Sequence, residues 1–203
     1  MKENGFEYVD LGLPSGTMWA TCNVGADKPE DDGLLFQFGR VDGYKYGDKN
    51  HKFTTDYKTT TSGKAYKTNE ILDLSDDAAH VNMGGKWRMP TCSYNPYTGQ
   101  YEGECAELVN NTTHKVETIN AVKGMMFTSN INGHQLFIPF MQGYWYNGKW
   151  EDWSRTFANV LSSQVNDSYI YRVYSLNCEL DGTTNIYDYY RANVFSVRGV
   201  FKK

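Results

Sequence analysis

No apolar stretch in this chain approaches the roughly 20 residues that a helix needs to cross a hydrocarbon core, so a membrane-spanning helix is not expected. Its 20 lysines and arginines, set against 24 aspartates and glutamates, never cluster beyond the terminal Lys202-Lys203. The electrostatic footprint that nucleic acid demands is therefore missing. The opening residues Met1-Lys-Glu-Asn-Gly-Phe hold neither an apolar signal region nor a lipidation cysteine, so Sec export is not expected. The histidines (His51, His80, His114, His134) are scattered without an H-E-x-x-H pattern. The cysteines (Cys22, Cys92, Cys105, Cys178) form no C-x-x-C pair and stand near no histidine at zinc spacing. No EF-hand spacing occurs, and no residue is singled out for calcium. Gly12-Leu-Pro-Ser-Gly16 has its serine in the wrong place for a nucleophile elbow and reads as a turn. No metal and no cofactor is expected.

What the chain has in quantity is rings. Aromatic residues make up 15% of it while mean hydropathy is low, so the apolar content sits in Tyr, Phe and Trp rather than in Leu, Ile and Val runs. That composition favours a β-rich, loop-heavy fold over a helix bundle, and 203 residues suit one domain. Glu7 to Leu13 and Thr17 to Cys22 read as paired strands around Pro14-Ser-Gly16, and Pro29 to Gly33 as a single helical turn. Residues 40–70 read as a long surface excursion that packs on the body through Tyr44, Tyr46, Tyr57 and Tyr66. Ser75 offers a cap for a helix over Asp76 to Met83, stopped by Gly84-Gly85, and a second helical pattern covers Ala106 to Asn110. Between them, residues 92–104 read as an inserted loop whose ends, Cys92 and Cys105, suit either a disulfide or free thiols, a reducing compartment favouring thiols. Asn132-Gly133 and Asn147-Gly148 mark hairpins, and Tyr169 to Leu180 and Ala192 to Phe201 read as the last strands.

Five blocks occur in order: Tyr8-Val-Asp-Leu-Gly-Leu-Pro-Ser-Gly16, Trp19-Ala-Thr-Cys-Asn-Val-Gly-Ala26, Asp76-Asp-Ala-Ala-His80, Gly84-Gly-Lys-Trp-Arg-Met-Pro-Thr91 and Ser196-Val-Arg-Gly-Val200. Together the series resembles the Fibrobacter succinogenes major paralogous domain, a surface-module family of Bacteroidota and their phages. The resemblance implies a single α+β domain of C-type lectin-like type, with two short helices against short, mostly antiparallel strands. It implies Trp19, Trp87 and Val197 in one core. It also implies non-catalytic display and binding, as a head- or tail-fibre protein on a virion surface engaging a host glycan or protein and assembling with other virion proteins as an oligomer. A bacterial outer-surface adhesin or lipoprotein domain is the alternative. An enzyme akin to the sulfatase-activating oxidases of related folds needs a reactive cysteine pair, which nothing here identifies. The chain departs from the family pattern at Phe38, Met83, Leu161 and in the insertion after Thr91.

Two aromatic groups suit a ligand. Trp145, Trp150 and Trp153 flank the Asn147-Gly148 hairpin as either a core wall or a sugar-stacking platform. The stretch from Asn166 to Asn193 mixes tyrosine with Asn, Ser and Asp, a composition that gives large contact area at low entropic cost. Its expected binding residues are Tyr169, Tyr171, Asn177 and Glu179, alternating along one strand face, with Asp181, Asn185, Tyr187 and Tyr189 in the following loop.

Overall fold

Glycine and asparagine in the left-handed region turn the chain between many of its short strands, as at Asn4-Gly5, Asn147-Gly148 and Gly182. The computed structural model describes residues 1–203. In chain order its strands are β1 (Lys2–Glu3), β2 (Phe6–Asp10), β3 (Thr17–Asn23), β4 (Leu35–Gln37), β5 (Ser93–Asn95), β6 (Gln100–Glu102), β7 (Thr112–Ile119) and β8 (Val122–Ser129). The second half continues with β9 (Gln135–Pro139), β10 (Gly143–Tyr146), β11 (Lys149–Asp152), β12 (Phe157–Val165), β13 (Arg172–Glu179), β14 (Thr184–Tyr190), β15 (Val194–Ser196) and β16 (Arg198–Lys202). The helices are α1 (Ala78–Met83) and α2 (Glu104–Asn110), with one 3-10 turn at Leu74–Asp76 ahead of α1.

Strand accounts for 43% of the chain and helix for 8%, which overturns the α+β, C-type lectin-like expectation in favour of a β-rich fold of several antiparallel sheets. The physical reason is helix length. At six and seven residues, α1 and α2 make less than two turns each and cannot form a layer. The sheets are β1-β2-β3-β16, the seven-stranded β11-β10-β15-β12-β13-β14 with β4 also on β15, the hairpin β5-β6, and β7-β8-β9. Only the β12–β15 pairing is parallel. Asn147 and Gly148 both take positive φ (48° and 90°), as a tight two-residue hairpin between right-twisted strands requires.

Two hydrophobic clusters fill the interior, and the period of two sorts residues between them. In β3, Met18 and Ala20 join one cluster while Trp19 joins the other; in β16, Val197 just before the strand and Phe201 join the first while Val200 joins the second. Strands β12 and β13 divide in the same way, with Leu161 and Val173 on one side and Val160 and Leu176 on the other. Trp19, Trp87 and Val197 are all buried, but Trp19 occupies a different cluster from the other two, because it alternates with Met18 and Ala20.

Capping also departs from the sequence reading. Asp77, not Ser75, caps α1: its carboxylate accepts from the His80 N–H at 2.9 Å and from the Met89 N–H at 2.8 Å, tying the helix to the strand-like segment behind it. Burial pushes this carboxyl up, against the pull of those amides. The neighbouring Asp76 is fully buried and accepts from the Ser62 N–H (2.6 Å), Ser62 Oγ (2.5 Å) and the Tyr66 hydroxyl (2.7 Å), which fastens the 40–70 excursion to the body. Residues Pro29 to Gly33 form a turn rather than a helical segment. The 92–104 insertion is a hairpin, β5-β6, whose tip residue Tyr97 is 98% exposed while Tyr101 packs on Tyr174 at 5.9 Å. Cys92 and Cys105 are buried free thiols beside that hairpin.

Glu104, at the start of α2, receives Arg88 Nη2 at 2.5 Å and the Thr91 N–H at 2.7 Å, with the Thr91 hydroxyl as a further donor. Burial raises its carboxyl, but Arg88 and the Thr91 donors outweigh burial and hold it below the ordinary glutamate range. A carboxyl lower in the folded than in the unfolded state contributes stability above the unfolded value of about 4.3 and loses it as pH falls through the folded one. Glu104→Gln should therefore unfold about 1–3 kcal/mol more easily at neutral pH. Urea titrations at stepped pH should show its deficit shrinking as acid is added, since the wild-type protein alone loses this increment.

Candidate functional site

The seven-stranded sheet parts at one place, and the parting makes a cleft. Val194 of β15 pairs with Gln37 of β4 and with Trp145 of β10; two residues on, Ser196 pairs with Leu35 of β4 and with Val160 of β12. Because β4 takes one edge of β15, β10 and β12 follow one another along the other edge and diverge. The gap holds a cleft of about 430 Å³ lined by Tyr144, Trp153, Phe157, Tyr189 and Phe195 as rings, with Asn159, Asn177, Glu179 and Asp181 among the polar groups.

The rings hold one another. Trp153 meets Phe157 edge-on at 4.4 Å and Tyr144 at 5.4 Å; Tyr144 stacks on Phe195 at 5.6 Å, and Tyr189 meets Phe195 at 4.8 Å. Trp153 is 43% exposed, so this anchored ring still presents much of its surface to solvent.

Two of the polar groups, Asn159 and Asn177, share a register row. Asn159, Asn177 and Asn185 stand opposite one another across β12, β13 and β14, and Glu179 stands opposite Phe157. Asn177 Nδ2 donates to Glu179 Oε1 at 2.8 Å, and Asp181 Oδ1 accepts from the Thr183 N–H at 2.9 Å, which lowers the Asp181 carboxyl and keeps it ionised. Asn159 is 0% exposed; one end of its amide bonds the Ser175 hydroxyl at 3.2 Å, while the other end, Nδ2, has no partner. Burial holds the Tyr189 phenol up, while the Asn159 Nδ2, the nearest donor to the phenol oxygen but short of hydrogen-bond geometry with it, pulls the other way.

The eight residues expected from sequence are thus divided. Asn177, Glu179, Asp181 and Tyr189 line the cleft, and Tyr187 lies beside it with its ring 6.2 Å from that of Tyr189. Asn177 is buried rather than displayed. Asn185, Tyr187 and Tyr189 belong to strand β14 and not to a loop. Tyr169 and Tyr171 precede β13, at the end of that strand remote from Glu179, so they do not alternate with Asn177 and Glu179. They join a second aromatic patch, where Tyr171 stacks on Tyr190 at 5.6 Å and meets Tyr57 at 6.3 Å. Asn185 borders a separate hollow of about 470 Å³ next to α2, with Gln100 and Asn110. The tryptophan trio is divided as well: Trp145 is core, Trp150 packs on Tyr46, His51 and Phe53, and Trp153 lines the cleft.

Sequence reasoning passed over Tyr144, Phe157, Asn159 and Phe195. Asn159 did carry a signal: an amide inside the otherwise apolar Phe157-Ala-Asn-Val-Leu161 is the kind of buried polar residue that needs a partner. In the acidic run Glu30-Asp31-Asp32, Glu30 accepts from Asn120 Nδ2 at 2.7 Å and Asp32 pairs with Arg155 at 2.8 Å. No group of three or more His, Cys, Asp or Glu side chains is arranged to hold a metal ion. No family model, no curated protein and no solved structure matches this chain.

The division of the tryptophans has a measurable consequence. Trp145→Ala opens a cavity in a closed core and should cost about 3–5 kcal/mol. Trp153→Ala removes a ring already half in water and should cost only about 1 kcal/mol. Denaturant titration of the two variants checks the difference, and iodide quenching should fall selectively in Trp153→Phe.

Proposed function

We propose that this chain is a non-catalytic binding and display module that attaches to a host-surface glycan or protein through the Asn159 cleft, carried on the exterior of a virion as part of a head or tail fibre. The observation that carries the attachment reading is the joining, in one cleft, of an exposed anchored ring, Trp153, with a buried amide that has no partner, Asn159. Concave sites of a few hundred Å³ lined by rings and a few convergent polar groups are where proteins commonly hold small ligands. The virion setting, with other virion proteins as partners, rests on the ordered sequence blocks from Tyr8 to Val200.

Binding rather than bond-breaking agrees with the state of the reactive groups. The Cys105 thiol is pushed well up by its contact with Cys92 and by burial, and Cys178 by burial, so both stay protonated and weakly nucleophilic. Asp76 and Asp77 are consumed in holding the excursion and α1.

Fluorescently labelled protein should adsorb saturably to cells of a Bacteroidota host. Trp153→Ala and Asp181→Ala, both at exposed positions, should weaken adsorption by roughly ten-fold while the melting temperature barely moves. Tyr169→Ser and Tyr190→Ser in the second patch should adsorb as wild type. Cleft variants that adsorb like wild type would remove the cleft from attachment.

A further inference from the structure

The chemistry of the cleft narrows what fills it. Asn159 is wholly buried among the residues around the cavity; its Ser175-bonded end is fixed, and its free Nδ2 lies beside the Tyr189 phenol with no accessible surface, so a ligand reaches it where that ring gives way. An unpaired buried amide lowers stability until a hydrogen-bonding group reaches it. Glu179 and Asp181 each commit one carboxylate oxygen to a neighbour, Asn177 and Thr183, and keep the other as an acceptor. No lysine, arginine or histidine lines the cavity, so a bound anion would face two carboxylates with no compensating cation. Around these polar groups stand Tyr144, Trp153, Phe157, Tyr189 and Phe195, whose faces suit the C–H surface of a saturated ring.

We infer that the cleft is a subsite for one or two uncharged pyranose rings of a glycan, with a ring hydroxyl bonded to Asn159, further hydroxyls donating to Glu179 and Asp181, and a sugar face on Trp153. A hydroxyl is donor and acceptor at once, so it is the group that satisfies an amide and a carboxylate side by side. An acidic sugar is excluded by charge. A quaternary ammonium would enjoy the rings and the carboxylates but would leave the Asn159 amide unpaired. The inference rests on the reading of this cleft as the attachment site and names its ligand class.

Titration calorimetry and tryptophan fluorescence on the whole chain decide it, using neutral glycosides and disaccharides of glucose, galactose, mannose, fucose and N-acetylglucosamine. Glucuronate, N-acetylneuraminate and choline serve as contrasting probes. The expected result is saturable binding of at least one neutral sugar with a change in Trp153 emission, and loss of that binding by roughly ten-fold in Asn159→Leu. Asn159→Leu sits in a buried strand, so Trp153→Ala at the exposed rim provides a second variant with the same expectation. The double change Glu179→Gln with Asp181→Asn should admit glucuronate. Absence of neutral-sugar binding into the tens of millimolar, tighter binding of glucuronate or choline by the wild-type protein, or sugar binding untouched by Trp153→Ala would overturn the inference. Its failure is separable from that of the attachment reading: cleft-dependent adsorption to cells that no neutral sugar inhibits overturns the sugar class alone, pointing to a protein ligand. Cleft-independent adsorption overturns the reading while direct sugar titration still reports on the cleft.

Discussion

The last strand segment of the chain, from Val194 to Lys202, is the constraint on which the rest of the structure depends. It is buried from Val194 to Phe201 and paired on both sides, to β4, β10 and β12 through β15 and to β3 through β16. At its midpoint Arg198 is fully buried without a carboxylate partner. Its guanidinium donates to Asn23 Oδ1 at 2.9 Å, the Ala20 carbonyl at 3.1 Å and the Phe137 carbonyl at 3.2 Å, joining β16 to β3 and β9. A buried cation is tolerable only where such acceptors converge, so this one residue fixes how the sheets meet. Beside it, Gly199 has no room for a side chain: a Cβ would come within 2.7 Å of Met83 Sδ and 2.9 Å of Trp87, which lets α1 and Trp87 close over the strand.

The cleft is a consequence of that same segment. Because β15 is only three residues long and serves β10 and β12 in succession, β10 and β12 share no ladder; the Met141 N–H just ahead of β10 bonds the Phe157 carbonyl at 2.8 Å, and rings line the space beyond. The rings are held by mutual edge and face contacts, and the asparagine row behind them is held by strand register. A site on such elements keeps its geometry without a ligand, which lowers the entropy that binding must overcome.

Electrostatics divides the molecule into groups that hold the fold and groups that stay open. Asp76, Asp77 and Glu104 are spent on amides, hydroxyls and Arg88 in the interior. Glu179 and Asp181 line the cleft, and one carboxylate oxygen of each has no hydrogen bond within the chain. The difference follows from position. The first three sit under the excursion and at the two short helices, where orphan donors need acceptors, whereas the second pair ends a strand at the rim.

The sequence by itself determined the local grammar. Asn147-Gly148 turned where the left-handed tolerance of those residues predicts, the wealth of rings over aliphatic runs gave strands rather than long helices, and the polar, tyrosine-rich stretch from Asn166 to Asn193 contained Asn177, Glu179, Asp181 and Tyr189 of the cleft's lining. It did not separate Tyr169 and Tyr171 from Asn177 and Glu179, nor show that β12 is buried on both faces, nor bring Tyr144, Phe157, Asn159 and Phe195 together. Those are decided by pairings between distant segments, such as the Gln37 amide with the Ala192 carbonyl across 155 positions. Periodicity states which residues share a face of one strand. Which face meets a core and which meets a cleft depends on the neighbours a strand finds, and only the closed tertiary structure supplies them.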